Sequence, residues 1–320
     1  MPRSFTWLAA IHILLFALTA CELSPDVVIC NDGKPPVIKT PTTIKEVATT
    51  LGAPVQLYTY NPAQENTFNS AQGTAVVIPA HAFVDENGKP VTTPVHVQLR
   101  EVFDKATMVL TAMPTISDGR ALESAGEFYL APEEKVKWAD GISVTLSSQI
   151  PPSVTSMEGM QLFAAQPISD FSFDCFHWSP QIDTTFKSFG QTASAKIPSA
   201  LLNAGYEWIN FDRFLPDEPK DTIIVTIPGE NIDLKTNTMA YVLFQDNNTA
   251  FKFCESAGIG KLKSPGIPLG TAVSTVVIRT LNGKVYYGRT NTIVDGKKYL
   301  APNILEITPE ALVDSLKLLK

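Results

Sequence analysis

Residues 272–288 read AVSTVVIRTLNGKVYYG, and this stretch decides the fold class. Two runs of β-branched and aromatic residues flank the dipeptide Asn282-Gly283. A two-residue turn of type I′ needs positive φ at both central positions, which Asn and Gly accept most readily. The stretch therefore predicts a β-hairpin with strands over residues 272–281 and 284–288.

Shorter runs of the same kind continue on both sides of this hairpin. They alternate with turn signals at the spacing typical of β-sandwiches and β-barrels. We predict further strands over residues 75–78, 95–99, 108–110, 127–130, 142–146, 160–164, 222–227 and 240–244. The chain is therefore predicted to be mainly β and to form two β-sandwich domains.

A short C-terminal helix is predicted to close the chain. Thr308 is a good N-cap, Pro309 suits the first helical position, and apolar residues recur at helical spacing over residues 312–319. We expect this helix to dock onto its own domain, because it has too few basic residues for a membrane-binding face. Weaker signals predict a helix over residues 44–51 and one helical turn over residues 198–202.

The N-terminus carries the pattern of an export signal. Arg3 precedes an uncharged apolar run over residues 7–20. A bilayer span needs about 20 apolar residues, so this shorter run fits a secretory signal peptide instead. Leu18-Thr19-Ala20-Cys21 resembles the lipobox of bacterial lipoproteins, which implies cleavage before Cys21 and palmitate-type acyl chains on its sulfur. The alternative is an ordinary secretory signal with a chance cysteine.

These patterns divide the chain into five parts. Residues 1–20 form the lipoprotein signal peptide, and residues 21–55, which are polar and contain prolines, form a tether or spacer. Residues 56–166 form the first sandwich domain. Residues 167–204 form an aromatic-rich connector, and residues 205–320 form the second sandwich domain with the C-terminal helix.

The charge of the chain argues against nucleic acid as a partner. The formal net charge is −7, and removal of residues 1–20 takes away Arg3 but no acidic residue, which makes it −8. Nucleic acid binding requires clusters of Lys and Arg, and the chain has no basic stripe. Its 44% of hydrophobic residues are enough to fill cores, which argues against a disordered stalk.

Three cysteines, Cys30, Cys175 and Cys254, accompany the lipidated Cys21. Export permits disulfides, and three thiols allow at most one bridge. Because Cys30 lies in the spacer, the sequence favours a disulfide between Cys175 and Cys254. The alternative is that all three thiols are small buried or idle hydrophobes. Their spacing matches no zinc motif.

A longer resemblance covers residues 70–130. Gly73-Thr74-Ala75-Val76-Val77-Ile78-Pro79 leads to Ala82-Phe83, and the Val-rich stretch 94–99 follows. This order is similar to the ZU5-like β-sandwich. A group of uncharacterised envelope lipoproteins from Bacteroidetes-type bacteria resembles the chain more closely, on residues 82–88, Arg100-Glu101, Asp104, 122–126 and 208–214. The resemblance implies two Ig-like or ZU5-like sandwiches on the cell surface, and it implies no known activity.

The sequence predicts no catalytic residue, metal site or cofactor. The common zinc-protease, serine-hydrolase and phosphate-loop motifs do not occur. His81 and His96 could meet across a hairpin, and the acidic turns 85–87 and 246–248 could offer oxygens to Ca²⁺. Calcium needs six to eight oxygens from several segments, however, so an ordinary turn is the simpler interpretation. Sugar-stacking candidates that we weigh against plain core packing are Trp138, Trp178, Trp208, Tyr286 and Tyr287.

The leading hypothesis is a non-enzymatic cell-envelope lipoprotein that acts as a surface scaffold or as an adhesion or interaction module. It would be tethered to the membrane through Cys21 and would bind an envelope protein or glycan. The alternative is a glycan- or nutrient-binding lipoprotein of an outer-membrane uptake system, and a third hypothesis is a hydrolase with an unfamiliar site. Glu22 stands where an inner-membrane retention signal usually shows Asp, and this resemblance favours the outer membrane.

Replacing Cys21 tests the lipid anchor. The wild-type chain expressed in bacteria should take up a palmitate analogue and sediment with the membranes, whereas the Cys21→Ala chain should do neither. Cys30→Ala removes a neighbouring cysteine and is the matched control, which should keep the label. Label on the Cys21→Ala chain would contradict the prediction.

Overall fold

The computed structural model describes residues 39–167, 177–181 and 185–319. Strands dominate these residues, and a short helix closes the chain, which confirms the predicted mainly β fold. In these ranges no helix has the length and apolar character needed to span a bilayer. The signal peptide and most of the predicted spacer lie outside the described residues.

Four short helices accompany the strands. They are α1 (Ile44–Thr50), α2 (Lys105–Thr111), α3 (Ser199–Asn203) and α4 (Pro309–Lys317). Thr43, Asp104 and Thr308 cap α1, α2 and α4, each through a side-chain oxygen that accepts the N–H three residues later. The helices predicted near residue 44, residue 198 and the C-terminus are therefore confirmed.

One predicted strand is wrong. Residues 108–110 lie in α2, which begins after the Asp104 cap and ends at Ala112. Ala112 has a left-handed φ of 61°, which stops the helix. Three consecutive apolar residues fit a buried strand and a buried helix equally well, so the sequence pattern did not separate the two.

The described residues form strands β1 to β25. The first twelve are β1 (Gln56–Tyr60), β2 (Asn66–Asn69), β3 (Ala75–Ile78), β4 (Phe83–Val84), β5 (Val95–Val102), β6 (Ile116–Ser117), β7 (Arg120–Pro132), β8 (Lys137–Trp138), β9 (Ser143–Gln149), β10 (Gln161–Ala165), β11 (Ser179–Pro180) and β12 (Thr185–Phe189). The others are β13 (Thr192–Pro198), β14 (Trp208–Phe214), β15 (Lys220–Asp221), β16 (Ile223–Thr226), β17 (Thr238–Phe244), β18 (Ala250–Lys252), β19 (Glu255–Gly258), β20 (Lys261–Lys263), β21 (Ile267–Pro268), β22 (Ala272–Leu281), β23 (Lys284–Ile293), β24 (Lys298–Leu300) and β25 (Leu305–Ile307).

Two facing antiparallel sheets form the first sandwich. Sheet A has the order β1-β5-β7-β14-β10-β11, with β6 attached to β7, and sheet B has the order β12-β13-β9-β3-β2. Val97, Phe128 and Phe211 of sheet A pack against Leu146 and Ile197 of sheet B in a shared core. Alternate residues along each strand enter this core, as the period of a half-buried strand requires.

The second sandwich also has two facing sheets, one of which contains the parallel pair of β16 and β24. Sheet C has the order β19-β20-β16-β24, and sheet D has the order β18-β17-β22-β23-β25. Val225 and Leu262 of sheet C share a core with Val242, Phe251 and Val277 of sheet D. The hairpin from β22 to β23 turns at Asn282 and Gly283, whose φ angles of 52° and 71° confirm the predicted positive values.

A third core joins the two sandwiches. The outer face of sheet A meets the outer face of sheet D, and helices α1, α2 and α4 lie at this contact. Val47, Met108 and Leu316 come from the three helices, and Trp208 and Tyr241 come from sheets A and D. The C-terminal helix therefore packs at the contact between the two sandwiches, whereas the sequence predicted docking onto its own domain alone.

Several elements pack in a different part of the fold from the one that the predicted division of the chain gives them. Strand β14, predicted to open the second domain, pairs with β7 and β10 inside sheet A. Strands β12 and β13, predicted to lie in a connector, belong to sheet B. Helix α1, in the predicted spacer, is buried through Ile44 and Val47. The spacing of turn residues predicts where strands begin and end, whereas tertiary packing determines which strands pair with each other.

Asn248 links the two sandwiches through buried hydrogen bonds. Its buried Nδ2 donates to the carbonyl oxygens of Phe103 at 2.9 Å and Ser124 at 2.8 Å. The backbone N–H of Ser124 donates back to the Asn248 carbonyl at 3.0 Å. The next residue, Thr249, donates its hydroxyl to the Leu122 carbonyl at 2.8 Å. The loop after β17 is therefore hydrogen-bonded to the start of β7.

Replacing Asn248 tests this link. Asn248→Ala should lower the free energy of unfolding by about 2–4 kcal/mol, because two buried carbonyls lose their donor. Asn247→Ala is the matched control: its amide makes no hydrogen bond within the described ranges, so the change should stay within about 0.5 kcal/mol. Urea unfolding measures both, and equal values for the two variants would refute the role of Asn248.

Candidate functional site

The predicted lipid and disulfide residues lie mostly outside the described ranges. Cys21, Cys30 and Cys175 are among these residues, so lipidation of Cys21 stays a prediction. Cys254 is described, and it is disulfide-bonded. The sulfur of Cys254 is therefore part of a covalent bond. The sequence favours Cys175 as its partner, and this pairing stays a prediction.

The histidines and acidic turns have ordinary structural roles. His96 Nδ1 contacts Glu134 Oε1 at 2.6 Å, whereas exposed His81 uses its backbone N–H to bind the Pro62 carbonyl. The Asp85 carboxylate accepts N–H groups inside its own turn. Across residues 39–167, 177–181 and 185–319, no group of three His, Cys, Asp or Glu side chains is placed to hold a metal ion.

The tryptophans are core residues. Trp138, Trp178 and Trp208 are 4%, 1% and 6% exposed, which leaves little ring surface for a sugar to stack on. Tyr286 and Tyr287 are only half-buried on β23. Core packing therefore accounts for the three indole rings.

A cleft of about 710 Å³ lies where both sandwiches and the end of α4 meet. Four chain segments form its walls: the start of α2, the loop after β9, the loop after β17, and the C-terminal end of α4. The cleft is defined by its lining residues, Asp104, Lys105, Ala106, Pro152, Ser153, Thr155, Gln245, Asp246, Asn247, Asn248, Lys317 and Leu319. Asp104 and the turn 246–248, both noted in the sequence, thus come together here.

Lys105 positions one wall of the cleft. Its buried ammonium Nζ donates to the carbonyl oxygen of Phe244 at 2.6 Å and to that of Gln245 at 3.4 Å. Burial lowers the pKa of Lys105, and the nearby Asp246 carboxylate opposes this shift. Hydrogen bonds from a charged donor are stronger than neutral ones, so this lysine holds the loop after β17 against α2.

A buried ion pair positions the opposite wall. Glu123 is fully buried, and its Oε2 lies 2.6 Å from Nη2 of Arg213. The same carboxylate accepts the backbone N–H of Thr155 at 3.0 Å and its hydroxyl at 2.9 Å. Arg213 also donates to the Thr155 hydroxyl at 2.7 Å. The loop after β9 is therefore anchored to strands β7 and β14.

Several polar groups of the cleft are available to a ligand. The side chains of Ser153, Gln245 and Asn247 make no hydrogen bond to the described part of the chain. Ala106, Pro152 and Leu319 add an apolar strip to the lining. Together with the lining side chains of Asp246 and Lys317, these neutral groups and this apolar surface suit a polar ligand or a peptide backbone.

A buried polar cluster lies under the third core, beside the cleft. We define it as Ser124, Glu127, Asn210, Asp212 and Tyr241. Ser124 donates its hydroxyl to the Asn210 side-chain oxygen at 2.9 Å, and the Asn210 amide donates to Asp212 Oδ2 at 2.6 Å. Both Glu127 oxygens, Asp212 Oδ1 and the Tyr241 hydroxyl are buried without a hydrogen-bond partner in the described structure.

A bulge in β7 creates this cluster. Ser124 pairs with Asp212 and Glu127 with Asn210, so the β7 chain gains one residue between these two pairs. Ser124 and Glu127 therefore share the outer face of sheet A, whereas their neighbours Ala125 and Phe128 enter the first core. The bulge carries Gly126, whose φ of 143° suits glycine, and a Cβ there would lie 2.7 Å from the Phe103 ring.

Burial disfavours the charged form of both carboxyl groups in the cluster. Burial raises the pKa of Glu127 well above its ordinary value, and the charge of Asp212 adds to the shift. Burial also raises the pKa of Asp212; nearby Glu123 adds to this shift, while the hydrogen bond from Asn210 opposes it. An isolated carboxylate is costly in such surroundings, so we expect both groups to bind protons near neutral pH.

No family model matches the chain. No curated protein matches it either. The support for a function therefore comes from the sequence patterns and from the cleft.

The buried carboxyl groups predict a pH dependence. Because their folded pKa is raised, the folded chain binds more protons than the unfolded chain above about pH 4, and stability falls as pH rises toward the folded pKa. Glu127→Gln and Asp212→Asn should each gain stability relative to wild type as pH rises, by up to about 1.4 kcal/mol per pH unit.

Urea unfolding between pH 5 and pH 8 measures this gain. Glu310→Gln is the matched control, because Glu310 is exposed on α4 and should show no such trend. A loss of relative stability in Glu127→Gln as pH rises would mean that the fold prefers the ionised carboxylate, contrary to the prediction.

Proposed function

We propose that the chain is a non-enzymatic lipoprotein of the cell envelope that acts as an interaction module. The lipid on Cys21 would hold it at the outer membrane, and the cleft would recognise its partner. The signal-peptide pattern and the lipobox resemblance support the anchor. The lining of the cleft supports recognition, and it is the observation that carries the proposal.

Size and rigidity both favour binding in the cleft. Its volume of about 710 Å³ lies within the range of known ligand sites, about 300–1,000 Å³. Asn248, Lys105 and the ion pair under Thr155 hold its walls through buried hydrogen bonds. A preorganised site loses less conformational freedom on binding, so more of the contact energy contributes to affinity.

Three charged groups at the cleft are committed to the fold, and Asp246 and Lys317 also line it. The Asp104 carboxylate accepts two hydrogen bonds from Thr107 as the cap of α2. Glu123 is committed to Arg213, and Lys105 to two carbonyl oxygens. A general acid or base must reach a substrate proton, and these three groups instead stabilise the fold.

A glycan-binding lipoprotein of an uptake system is the second candidate. The free amides of Gln245 and Asn247 match sugar hydroxyls, and the strip formed by Ala106, Pro152 and Leu319 could cover a sugar's apolar face. The same groups could bind a peptide backbone. Ligand identity, protein or glycan, therefore separates the two candidates.

Binding measurements on cleft variants test the proposal. The lipidated chain would be applied to a polysaccharide array and, in parallel, cross-linked to envelope proteins in intact cells. Gln245→Ala and Asn247→Ala should each weaken the resulting interaction by about 2- to 10-fold, the effect of one lost neutral hydrogen bond. Titration of the identified ligand by calorimetry measures this change.

Asn87→Ala is the matched control, because Asn87 is an exposed amide on a distant turn. It should leave the affinity unchanged. Glycan binding that responds to the cleft variants would select the second candidate. Binding that ignores both cleft variants, or the lack of any glycan or protein partner, would refute a recognition role for the cleft.

A further inference from the structure

We propose that β1 is the edge through which two copies of this chain pair across a twofold axis, so that sheet A continues from one copy into the other. This inference goes beyond the proposed function, because it needs no ligand in the cleft. It stands on the composition of the edge strands, on the exposure of two apolar side chains and on the self-complementarity of β1.

Strand β1 has one open edge. It pairs with β5 from Gln56 to Tyr60 in a regular antiparallel register, and no described strand lies on its other side. An open edge presents unpaired N–H and C=O groups to any other strand. Soluble proteins usually protect such edges with charged side chains, prolines, bulges or short strand length.

The other outer strands of sheets A to D carry such protection, and β1 does not. Edge strand β2 has only four residues, and β18 has three. The protecting residues on the remaining edges are Pro180 in β11, Lys187 in β12, Glu255 in β19, Lys298 in β24 and Glu306 in β25. Strand β1 reads Gln-Leu-Tyr-Thr-Tyr and contains neither charge nor proline.

The exposed side chains of this strand are apolar. Tyr60 is fully buried in the first core, and Tyr58 stacks on Phe68 at 5.1 Å between ring centroids, so these residues face inward. Leu57 and the preceding Val55 face outward and are 53% and 52% exposed. Covering these side chains would be favourable, at roughly 25 cal/mol per Å² of apolar surface.

A second copy of the chain fits this edge. Twofold antiparallel pairing brings each residue opposite a residue of the identical strand, so a charged strand would repel itself. Residues 55–60 have no charge. A register centred on Leu57 places Leu57 opposite the partner's Leu57 and Val55 opposite the partner's Thr59. Backbone hydrogen bonds, one contact between the two leucines and two contacts between Val55 and Thr59 then act together.

The pairing extends a second cavity of the fold. Val55 lines a cavity of about 250 Å³ with Arg100 and Trp208 on the outer face of sheet A. In the paired state the partner's Thr59 lies beside Val55 and adds to its wall. Each copy would therefore contribute to the rim of the other copy's cavity.

The interface is small, and tethering compensates for this. One strand pair buries less than the roughly 1,200–2,000 Å² of a stable protein interface. On a membrane, the lipid anchor of the proposed function would confine both copies to one surface and raise their effective concentration. We therefore expect pairing on membranes and dissociation in dilute detergent solution.

Cysteine cross-linking in intact cells tests the pairing. The full lipidated chain would carry Leu57→Cys and would be treated with a short bismaleimide. Leu57→Cys should give a product of twice the chain mass, well above the wild-type background. Leu305→Cys is the matched control, because Leu305 is 61% exposed on the edge strand β25 beside Glu306, and it should stay at background.

A charge on the edge should abolish the product. Val55→Lys and Thr59→Lys together, combined with Leu57→Cys, place like charges opposite each other on the paired strands, so cross-linking should fall at least several-fold relative to Leu57→Cys alone. Leu305→Lys with Leu57→Cys should have no effect. Background-level cross-linking of Leu57→Cys on membranes, or its cross-linking to a different protein in place of a second copy, would overturn the proposal.

Discussion

The insertion of strand β14 between β7 and β10 is the constraint on which the rest of the structure depends. Residues 208–214 follow the whole of sheet B in the chain and precede the whole second sandwich, yet they form an inner strand of sheet A. The chain must therefore begin the second sandwich next to sheet A. The outer face of sheet A is covered as a result, and helices α1, α2 and α4 fill the space between the sandwiches.

This covering changes the chemistry of ordinary strand positions. In β14, Ile209 and Phe211 enter the first core, and Asn210 and Asp212 point the other way. On a free sandwich such polar residues would face water. Here the second sandwich removes that water, so burial raises the pKa of Asp212, whose Oδ2 accepts a hydrogen bond from the Asn210 amide. The same covering buries Glu127 beside Tyr241.

The cleft lies at the rim of this contact and is rigid for the same reason. Each wall is held by a buried polar group that joins elements far apart in sequence: Lys105 to the loop after β17, Asn248 to β7, and Glu123 to the loop after β9. Unmade hydrogen bonds at buried groups are expensive, so these contacts resist opening. The edge strand β1 lies on the same sheet, and its free side is open to another chain.

The sequence by itself determined the local structure. The Asn282-Gly283 turn, the Thr308 cap and the alternation along β5 depend on neighbouring residues only, and the structure confirms them. The run 108–110 was ambiguous because a three-residue apolar stretch has no period. Tertiary structure alone decided the partners of β12, β13 and β14, and with them the cleft. Asn210 and Asp212 alternate with apolar neighbours, a pattern that is typical of solvent-facing residues. Their burial depends on the second sandwich, whose position cannot be predicted from the local sequence pattern.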